Sequence, residues 1–378
     1  MNTERIDPPE QKTENAEYLT EQIITCIGNK RALLSFIGTA VDAVKEKLCK
    51  DKLDIADVFS GSGVVSRFFK QHAGALYSND LEDYCSTINR CYLANKSEID
   101  FDLLRGYYSR VKKELDTRPL QGGFISEMYA PKDDADIKPG ERVFFTARNA
   151  RYIDTARRLI GELPEPYKTF LLAPLLYEAS VHNNTGGVFK GFYKNSKTGI
   201  GQFGGDGENA LQRIKSDIEL KMPVFSNFEC RTRVFQKDAN LLAPELPPVD
   251  LVYMDPPYNQ HPYGSNYFML NLINGYKRPA EVSRVSGIPA VWNKSQYNKK
   301  SSARESVFDL CSKARARFLL VSFSSEGFIG RDEMVETLSS LGEVRVLDKE
   351  YNTFRACRNL GGRDAHVREY LFLVEKRT

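Results

Sequence analysis

Hydrophobic runs separated by polar turns predict an α/β fold for most of the chain. Residues 1–16 are polar and rich in Glu, Asn, Thr and Pro, so we expect a flexible tail there. Apolar residues at helical spacing predict a helix over 23–48. An apolar strand at 53–59 then runs into a glycine turn, a helix begins near Val64, and a second strand follows at 75–79. This order is the βαβ signature of an α/β domain.

The middle of the chain has a different character. Residues 96–234 carry scattered charges and glycine-rich turns, with one helical stretch at 167–181. Strand patterns of the α/β kind return at 230–235, 249–253, 317–323 and 369–374. We therefore expect an α/β core built from residues 17–95 and 235–378, interrupted by an inserted domain at 96–234.

Composition and charge narrow the class of protein. The chain has 378 residues, 41% of them hydrophobic, which is ordinary for a globular protein with one large domain or two. A net charge of +3 excludes a histone-like, charge-driven binder but allows a local basic face. Seven cysteines without a CxxC pair and four scattered histidines argue against a zinc site. No apolar run approaches the ~20 residues of a membrane span. We expect a cytoplasmic protein with reduced cysteines, no metal and no membrane contact.

The first candidate site is the glycine turn Asp57-Val58-Phe59-Ser60-Gly61-Ser62-Gly63, at the end of a predicted strand. Glycine lets a backbone turn sharply and approach a ligand closely. Asp80 ends the next strand, where a carboxylate can bind ribose hydroxyls. The pattern indicates a nucleoside-containing cofactor. A tight turn without a ligand and an NAD site are the alternatives, although Ser66 occupies the place of the third glycine in GxGxxG.

The second candidate site is the segment Asp255-Pro256-Pro257-Tyr258, which follows an apolar strand. Ligands bind at the carboxyl ends of strands in open α/β sheets, and the prolines stiffen this turn. The Asp255 carboxylate and the Pro256 carbonyl can accept the two N–H hydrogens of an aromatic amine, which frees the nitrogen lone pair. Tyr258 can stack on the base and align it for methyl transfer. The tail segment 7–9 is also Asp-Pro-Pro but lacks the strand and the tyrosine.

Taken in order, these motifs resemble those of the Dam-like DNA adenine methyltransferases of the alpha group. Residues 27–34 resemble the family's opening motif, and Lys30 matches its cofactor lysine, although Cys26 stands where the family usually has an aromatic residue. Residues 189–193 resemble a segment of the family's recognition region, and residues 321–327 resemble the strand and loop that line the target-base pocket. The resemblance implies a Rossmann-like S-adenosylmethionine-dependent methyltransferase core with an inserted target-recognition domain.

Specific residues carry this resemblance into the site. It implies catalytic roles for Asp255, Pro256, Pro257 and Tyr258. It implies S-adenosylmethionine-binding roles for Lys30, Asp57, Phe59, Gly61, Gly63, Asp80, Asp238 and Asp255. Asp238 enters because residues 237–240 resemble the segment beside the cofactor's adenine ring.

The implied reaction is methylation of N6 of adenine in double-stranded DNA. The implied setting is a restriction-modification system with a cognate restriction endonuclease, or an orphan modification enzyme. Cytosine N4 methylation is the nearest alternative, although its enzymes more often begin the tetrapeptide with Ser. RNA or protein-glutamine methyltransferases usually begin it with Asn. A cofactor-binding DNA-recognition protein without activity is a further alternative, and the intact Asp255 and Tyr258 argue against it.

Binding and flipping a DNA base require phosphate contacts, so the sequence should supply basic residues near the site. A basic stretch at 292–318 and an arginine-rich segment at 355–368 are the main candidates, and a solvated helix face is the alternative for the first. The residues expected to contact DNA are Lys190, Lys299, Lys300, Arg355 and Arg358. Residues 263–267 are expected to form a lid over the flipped base.

Overall fold

Seven strands form one sheet in the computed structural model, which describes residues 13–352 and 366–377. The strands are β1 (Leu53–Asp57), β2 (Ala73–Asn79), β3 (Arg231–Phe235), β4 (Val249–Met254), β5 (Ala316–Ser324), β6 (Gly342–Asn352) and β7 (His366–Lys376). Their order is β3-β2-β1-β4-β5-β7-β6. Strand β7 runs antiparallel to β5 and β6, and the other pairs are parallel. The predicted α/β class is confirmed.

Thirteen α-helices surround and extend this sheet in the described part of the chain. They are α1 (Leu34–Leu48), α2 (Val64–Lys70), α3 (Asp83–Tyr92), α4 (Phe101–Thr117), α5 (Phe124–Tyr129), α6 (Ala147–Gly161), α7 (Tyr167–Val181), α8 (Leu211–Lys215), α9 (Ala239–Leu242), α10 (Tyr263–Asn266), α11 (Phe268–Gly275), α12 (Lys300–Lys313) and α13 (Arg331–Ser339). Short 3-10 turns cover Arg31–Leu33, Lys96–Glu98, Gly205–Gly207 and Gln296–Asn298.

Alternate residues of the central strands feed two separate apolar cores. Ile55 and Leu251 face α1 and α2 on one side of the sheet. Ala56 and Val252 face α9, α12 and α13 on the other side. Because both faces are covered, the central strands are apolar almost throughout, which is why they appeared in the sequence as short continuous runs.

The crevice that positions the site lies between β1 and β4. From β1 the chain moves outwards through β2 to β3, whereas from β4 it moves in the other direction to β5. In the register of this pair, Ile55 lies opposite Leu251 and Asp57 opposite Tyr253. The glycine turn after β1 and the tetrapeptide after β4 therefore leave the sheet side by side. Such a switch in strand order is where open α/β sheets bind ligands.

A third core belongs to the helices that connect β2 to β3. It gathers apolar residues from α3 to α7, and also from α11, which follows the tetrapeptide in sequence. Arg157 of α6 ties the two parts together by donating to the carbonyls of Ile273 (2.6 Å) and Asn274 (3.1 Å). The helical unit thus includes residues beyond the expected insertion, and Arg231 at its predicted end already belongs to β3.

The chain before α1 differs from the sequence-based expectation. The helix predicted over 23–48 begins only at Leu34, after the 3-10 turn. Ile27 donates its N–H to the Tyr267 hydroxyl at 2.8 Å, its carbonyl accepts from the Tyr263 hydroxyl, and Gly28 adopts φ +77°. These tertiary hydrogen bonds replace the helical ones, so the prediction was wrong for 23–30.

The first described residues belong to the segment that was expected to be a flexible tail. Most of the predicted tail lies outside the described residues, but Glu14 accepts from the Ser226 hydroxyl at 2.6 Å and Asn15 donates to the Phe225 carbonyl at 3.3 Å. Residues 13–16 are therefore held against the chain that leads into β3.

Within residues 13–352 and 366–377, no helix combines the length and apolar character needed to cross a bilayer.

Candidate active site

An acidic cavity opens at the carboxyl ends of β1 and β4, with about 990 Å³ of empty space including its mouth. Its walls come from residues 26–30, the glycine turn, the end of β2, residues 237–239, the tetrapeptide, the start of α10 and residues 293–298. Four carboxylates line it, from Asp80, Glu82, Asp238 and Asp255, against the ammonium groups of Lys30 and Lys237. The cavity is therefore suited to a ligand with positive charge and hydroxyl donors.

The glycine turn exposes its backbone to this cavity. Gly61 has φ +51°, and a Cβ built there would meet nothing within 4 Å. Gly63 has φ +80°, and a Cβ there would lie 2.6 Å from Oδ1 of Asn89. Asn89 holds the turn from behind, because its Nδ2 donates to the Ser60 hydroxyl (3.0 Å) and the Gly61 carbonyl (3.3 Å). Glycine at 63 is thus required by both backbone conformation and space.

Asp80 joins two walls of the cavity. One carboxylate oxygen accepts the Gly61 N–H at 2.8 Å, and the other accepts the Glu82 N–H at 2.9 Å. Burial raises the pKa of Asp80, and these two backbone donors oppose the increase. Asp80 therefore fixes the distance between the glycine turn and the end of β2 while still lining the cavity.

Glu82 is a cavity residue that sequence reasoning missed. Its side chain is buried, and Oε2 accepts from the amides of Asn271 (2.5 Å) and Asn293 (3.3 Å). Burial raises the pKa of Glu82 to about 7, and the nearby Asp80 charge adds to the increase. Its only local signal was its place two residues after Asp80, whereas its partners lie about 190 and 210 residues away in sequence.

One wall of the cavity is aromatic, and Asp238 lies on the same cavity. The rings of Phe59 and Tyr297 meet edge to face at 5.1 Å. Asp238 caps α9 by accepting N–H bonds from Asn240 (2.9 Å) and Leu241 (3.2 Å). A flat heterocycle can pack against an aromatic wall of this kind.

Asp57 does not reach the cavity wall. It is fully buried behind the glycine turn, where Oδ2 accepts from the Ser66 hydroxyl at 2.7 Å. Its Oδ1 has no hydrogen-bond partner. Burial raises the pKa of Asp57 to about 7. In this structure Asp57 supports the turn through Ser66, and the direct cofactor contact implied by the resemblance stays a prediction.

Buried Lys30 holds the tetrapeptide in place through an ion pair with Asp255. The Lys30 Nζ lies 2.9 Å from Oδ1 of Asp255 and 3.3 Å from Oε1 of Glu369, and it donates to the Gly28 carbonyl at 3.1 Å. Burial lowers the pKa of Lys30, but the Asp255 and Glu369 carboxylates outweigh burial and hold it well above its usual value. Burial raises the pKa of Asp255, and the Lys30 ammonium opposes this. Sequence reasoning placed Lys30 beside the cofactor but missed Glu369 and the ion pairs.

The rest of the tetrapeptide is held by the strand after it in the sheet. The Tyr258 ring packs edge to face on Phe323 at 6.0 Å, and its carbonyl accepts the Phe328 N–H at 2.9 Å. Burial raises the pKa of Tyr258 to about 12, so its hydroxyl stays protonated. Pro256 is buried and Pro257 half-buried, which leaves Asp255, with 18% of its side chain exposed, facing the cavity.

The segment expected to form a lid is a short helix packed against residue 27. Residues 263–266 form α10, in which Gly264, Ser265 and Asn266 are buried. A Cβ on Gly264 would lie 2.6 Å from the Asn293 carbonyl oxygen. Because the tyrosines that begin and follow α10 bind Ile27, this segment is a helical wall of the cavity and not an ordinary polar loop, whereas its closure over a flipped base stays a prediction.

The residues expected to contact DNA divide into three groups. Lys299 and Lys300 are exposed at the start of α12, directly after the cavity residue Asn298. Lys190 is exposed on the helical unit, next to buried Phe189. Arg355 and Arg358 lie outside the described residues. The structure thus places two of the five lysines and arginines at the cavity mouth.

Much of the remaining basic stretch is paired with acids. Arg304 contacts Glu333 and Glu336, Lys313 contacts Asp309, and Arg317 contacts Glu375. These contacts make a charge-paired protein surface of α12, its neighbour α13 and the start of β5, in line with the solvated-face alternative.

A sequence model of the D12 class N6 adenine-specific DNA methyltransferase family matches residues 27–336. The chain belongs to this family. The match spans the glycine turn, the tetrapeptide and the helical unit, and it identifies the protein as an enzyme that methylates N6 of adenine in DNA. The resemblance drawn from the motifs is confirmed, and cytosine N4 methylation and a non-catalytic binder are not supported.

Curated relatives agree with this assignment. The chain is 30% identical to the Type II methyltransferase M.CviAII of Paramecium bursaria Chlorella virus 1, over 90% of this chain and 98% of that one. It is 29% identical to M.NlaIII of Neisseria lactamica, over 93% of this chain and 98% of that one. M.FokI of Planomicrobium okeanokoites is 28% identical, and this chain spans 52% of its length. Among the described residues, no group of His, Cys, Asp and Glu is arranged to hold a metal ion.

Proposed function

We propose that this methyltransferase binds S-adenosylmethionine in the cavity between β1 and β4 and methylates adenine within a short sequence of double-stranded DNA. The observation that carries the proposal is the Asp255 carboxylate, which faces the cavity from the tetrapeptide while buried Lys30 holds it from below. We further propose that the enzyme serves a restriction-modification system with a cognate endonuclease, because its relatives are named as Type II methyltransferases.

The chemistry of the cavity walls supports this cofactor. S-adenosylmethionine combines an adenosine with a sulfonium and an ammonium group, so its charge complements the four lining carboxylates. Asp80 and Glu82 flank the glycine turn where ribose hydroxyls need acceptors, and Phe59 and Tyr297 together offer an aromatic wall against which the adenine ring can pack. A nicotinamide dinucleotide carries a pyrophosphate instead, which these carboxylates would repel. We assign cofactor contacts to Lys30, Phe59, Gly61, Asp80, Asp238 and Asp255, and structural roles to Asp57 and Gly63.

When bound, the cofactor supplies an electrophilic methyl group on a sulfonium. Asp255 and the Pro256 carbonyl accept the two N–H hydrogens of the target amine, so the nitrogen lone pair points away from the ring. Tyr258 stacks on the flipped base and keeps it aligned. Burial raises the pKa of Asp255, which makes its carboxylate a better acceptor for the proton that the nitrogen loses.

DNA is held by the two surfaces that flank the cavity mouth. Lys299 and Lys300 bind phosphates beside the target base, and the helical unit, with Lys190, reaches the flanking sequence. We propose that the inserted residues 96–234, which pack against α3 and α11 in this unit, form the target-recognition domain. Arg355 and Arg358 remain assigned to phosphates by sequence pattern alone.

The experiment that tests this function is expression in a host that lacks adenine methylation, followed by sequencing that detects modified bases. We expect N6-methyladenine in one recurring short motif. Asp255→Ala should abolish it, with at least a 1000-fold lower rate in vitro, because the amine then has no carboxylate to accept its hydrogen. An exposed carboxylate elsewhere on the core, as in Asp332→Ala, provides the matched control and should retain full activity.

Other outcomes would revise the proposal. N4-methylcytosine in the host genome would move the assignment to the cytosine amine. Unmodified DNA, despite folded protein that binds S-adenosylmethionine by calorimetry, would overturn the DNA substrate. Binding of NAD with no binding of S-adenosylmethionine would overturn the cofactor.

A further inference from the structure

Glu369 is a fully buried carboxylate beneath the proposed catalytic residue. It lies on β7, where backbone pairing sets it opposite Ser324 of β5. Its Oε1 accepts from the Ser322 hydroxyl at 2.5 Å and lies 3.3 Å from the Lys30 ammonium. The same ammonium lies 2.9 Å from Asp255. One cation is therefore shared by two carboxylates that come from different strands.

This arrangement is not what sheet stability alone would select. Desolvating a charge is costly unless it is paired, and a buried ion pair is often no more stable than apolar residues of similar volume. Lys30 and Asp255 would form a neutral pair by themselves. With Glu369 ionised, the three groups carry a net charge of −1, at a position otherwise flanked by buried Val367 and Leu371. The extra charge therefore calls for a function.

We propose that Glu369 is a positioning residue for methyl transfer, which shares Lys30 with Asp255 and so leaves Asp255 a stronger acceptor than a simple Lys–Asp pair would be. The inference rests on the proposed function of Asp255. In the reaction the nitrogen–methyl bond forms as the methyl–sulfur bond breaks, with that electron pair staying on sulfur. The nitrogen then carries positive charge until it gives a proton to Asp255. A cluster with one excess negative charge stabilises that state.

The surroundings of Asp255 predict how its titration should change. Burial raises the pKa of Asp255, Lys30 lowers it and Glu369 raises it. The charged or titratable groups that face Asp255 are Lys30, Glu369, Asp57, Tyr253, Tyr258 and Tyr263. Removing the Glu369 charge should therefore lower the pKa of Asp255 and make it a weaker proton acceptor.

The test compares Glu369→Gln with wild type in single-turnover methylation, at saturating S-adenosylmethionine and DNA, from pH 5 to 9. We expect a plateau rate at least 30-fold lower and an acid limb that moves to lower pH. Affinities for S-adenosylmethionine and DNA should stay within threefold. Glu375→Gln, on the same strand but paired at the surface with Lys47 and Arg317, is the matched control and should match wild type within twofold.

A second variant covers the case in which Glu369→Gln does not fold. Ser322→Ala removes the hydroxyl group that donates to Glu369. Glu369 should then bind the Lys30 ammonium more strongly, and Lys30 should bind Asp255 less strongly. The acid limb should then move to higher pH, opposite to the shift in Glu369→Gln. An unchanged acid limb in a folded Ser322→Ala protein overturns the inference.

The remaining outcomes separate this inference from the proposed function. An active wild type, an inactive Asp255→Asn and a Glu369→Gln enzyme with wild-type rate and pH profile would overturn the inference alone. A lower Glu369→Gln rate accompanied by weak S-adenosylmethionine binding and an unmoved acid limb would show a purely structural role. No methylation by wild type, or full activity of Asp255→Asn, would overturn the proposed function and the inference with it.

Discussion

The sheet ends carry most of the cavity wall, whereas the helical unit adjoins the cavity through α10, and the two regions are held together in different ways. At the sheet ends, the glycine turn and the tetrapeptide take their positions from strand pairing, because Asp57 and Tyr253 lie opposite each other in β1 and β4. The helical unit is joined by side chains that reach distant backbone groups, as Arg157 does at Ile273 and Asn274. Strand register therefore positions the glycine turn and the tetrapeptide, whereas contacts from side chains to backbone groups hold the helical unit against them.

We therefore expect substitutions in the two regions to have different effects. Changes at the sheet ends should alter cofactor binding or chemistry. Changes in the helical unit should alter stability and DNA binding while leaving the chemical groups in place. The four predictions below test this division, from the largest expected effect to the smallest.

Gly63→Ala should have the largest effect. The new Cβ would lie 2.6 Å from Asn89 Oδ1 at φ +80°, and Asn89 cannot move without losing its bonds to the turn. We expect unfolding to become easier by about 3 kcal/mol and S-adenosylmethionine affinity to fall at least tenfold. Gly106→Ala in α4 is the control, because nothing lies within 4 Å of its Cβ. It should stabilise the helix by up to ~1 kcal/mol. Chemical denaturation measures the free energy of unfolding, and calorimetry measures S-adenosylmethionine affinity. Equal values for Gly63→Ala and Gly106→Ala would contradict the proposed difference between the two regions.

Arg157→Met should lower stability by about 2 kcal/mol, because the carbonyls of Ile273 and Asn274 lose their buried donor. Arg158→Met, at the exposed neighbouring position, should cost less than ~0.5 kcal/mol. Both are measured by urea denaturation. Below the unfolding transition, Arg157→Met should weaken DNA binding more than S-adenosylmethionine binding. The reverse order of effects would mean that the helical unit also shapes the cofactor site.

Asp57→Asn should stabilise the protein in a pH-dependent manner. Burial raises the pKa of Asp57 from 3.8 to about 7, so the folded state binds a proton that the unfolded state releases, and stability falls as pH rises between those values. At pH 8 the uncharged Asn should raise the free energy of unfolding by roughly 1–3 kcal/mol. At pH 5 the gain should fall to about a third of that at pH 8, because only part of the window between the unfolded and folded pKa values of Asp57 has been crossed. Thermal melts at the two pH values test this, with the partly exposed Asp54→Asn on the same strand as control. A gain that is the same at both pH values would rule out this account.

Lys299→Ala together with Lys300→Ala should show the smallest effect. Loss of two phosphate contacts should weaken DNA binding about tenfold and reduce the salt dependence of the binding constant by up to ~2 in slope. S-adenosylmethionine affinity should not change. Lys313→Ala, on the same helix but paired with Asp309, is the control and should alter DNA binding less than twofold. DNA-binding titrations at several salt concentrations measure this slope. An unchanged slope would show that neither lysine contacts DNA.

The sequence predicted the fold best where signals were local. Strands β1 and β4 appeared as apolar runs because helices cover both faces of the sheet, and each ended in a motif that marked its carboxyl end. Helix α7 was predicted with its observed bounds from an apolar stretch. The helix over 23–30 was wrong, because hydroxyl groups of Tyr263 and Tyr267, more than 200 residues away, take the backbone bonds of Ile27.

The candidate site was only partly predictable for the same reason. Lys30 and Asp255 each carried a motif, but nothing in either motif showed that their side chains meet. Glu369 lies in an apolar run that reads as an ordinary strand, and only the register of β5 against β7 brings it near Ser322. Glu82 acquires its role from Asn271, which depends on how α11 docks, and from Asn293, which lies beyond that helix in the sequence. Register and docking are properties of the folded chain that residue patterns do not encode locally.

The three groups that meet at the Lys30 ammonium are synthesised at different times, so the site is completed late in translation. A ribosome makes Lys30 early, Asp255 much later, and Glu369 only when β7 is translated. Until β7 has left the exit tunnel and paired with β5, Lys30 has one carboxylate partner instead of two. A nascent chain can therefore hold the glycine turn and the tetrapeptide without a complete site, and fragments divided between β5 and β7 would acquire the third group only on reassembly.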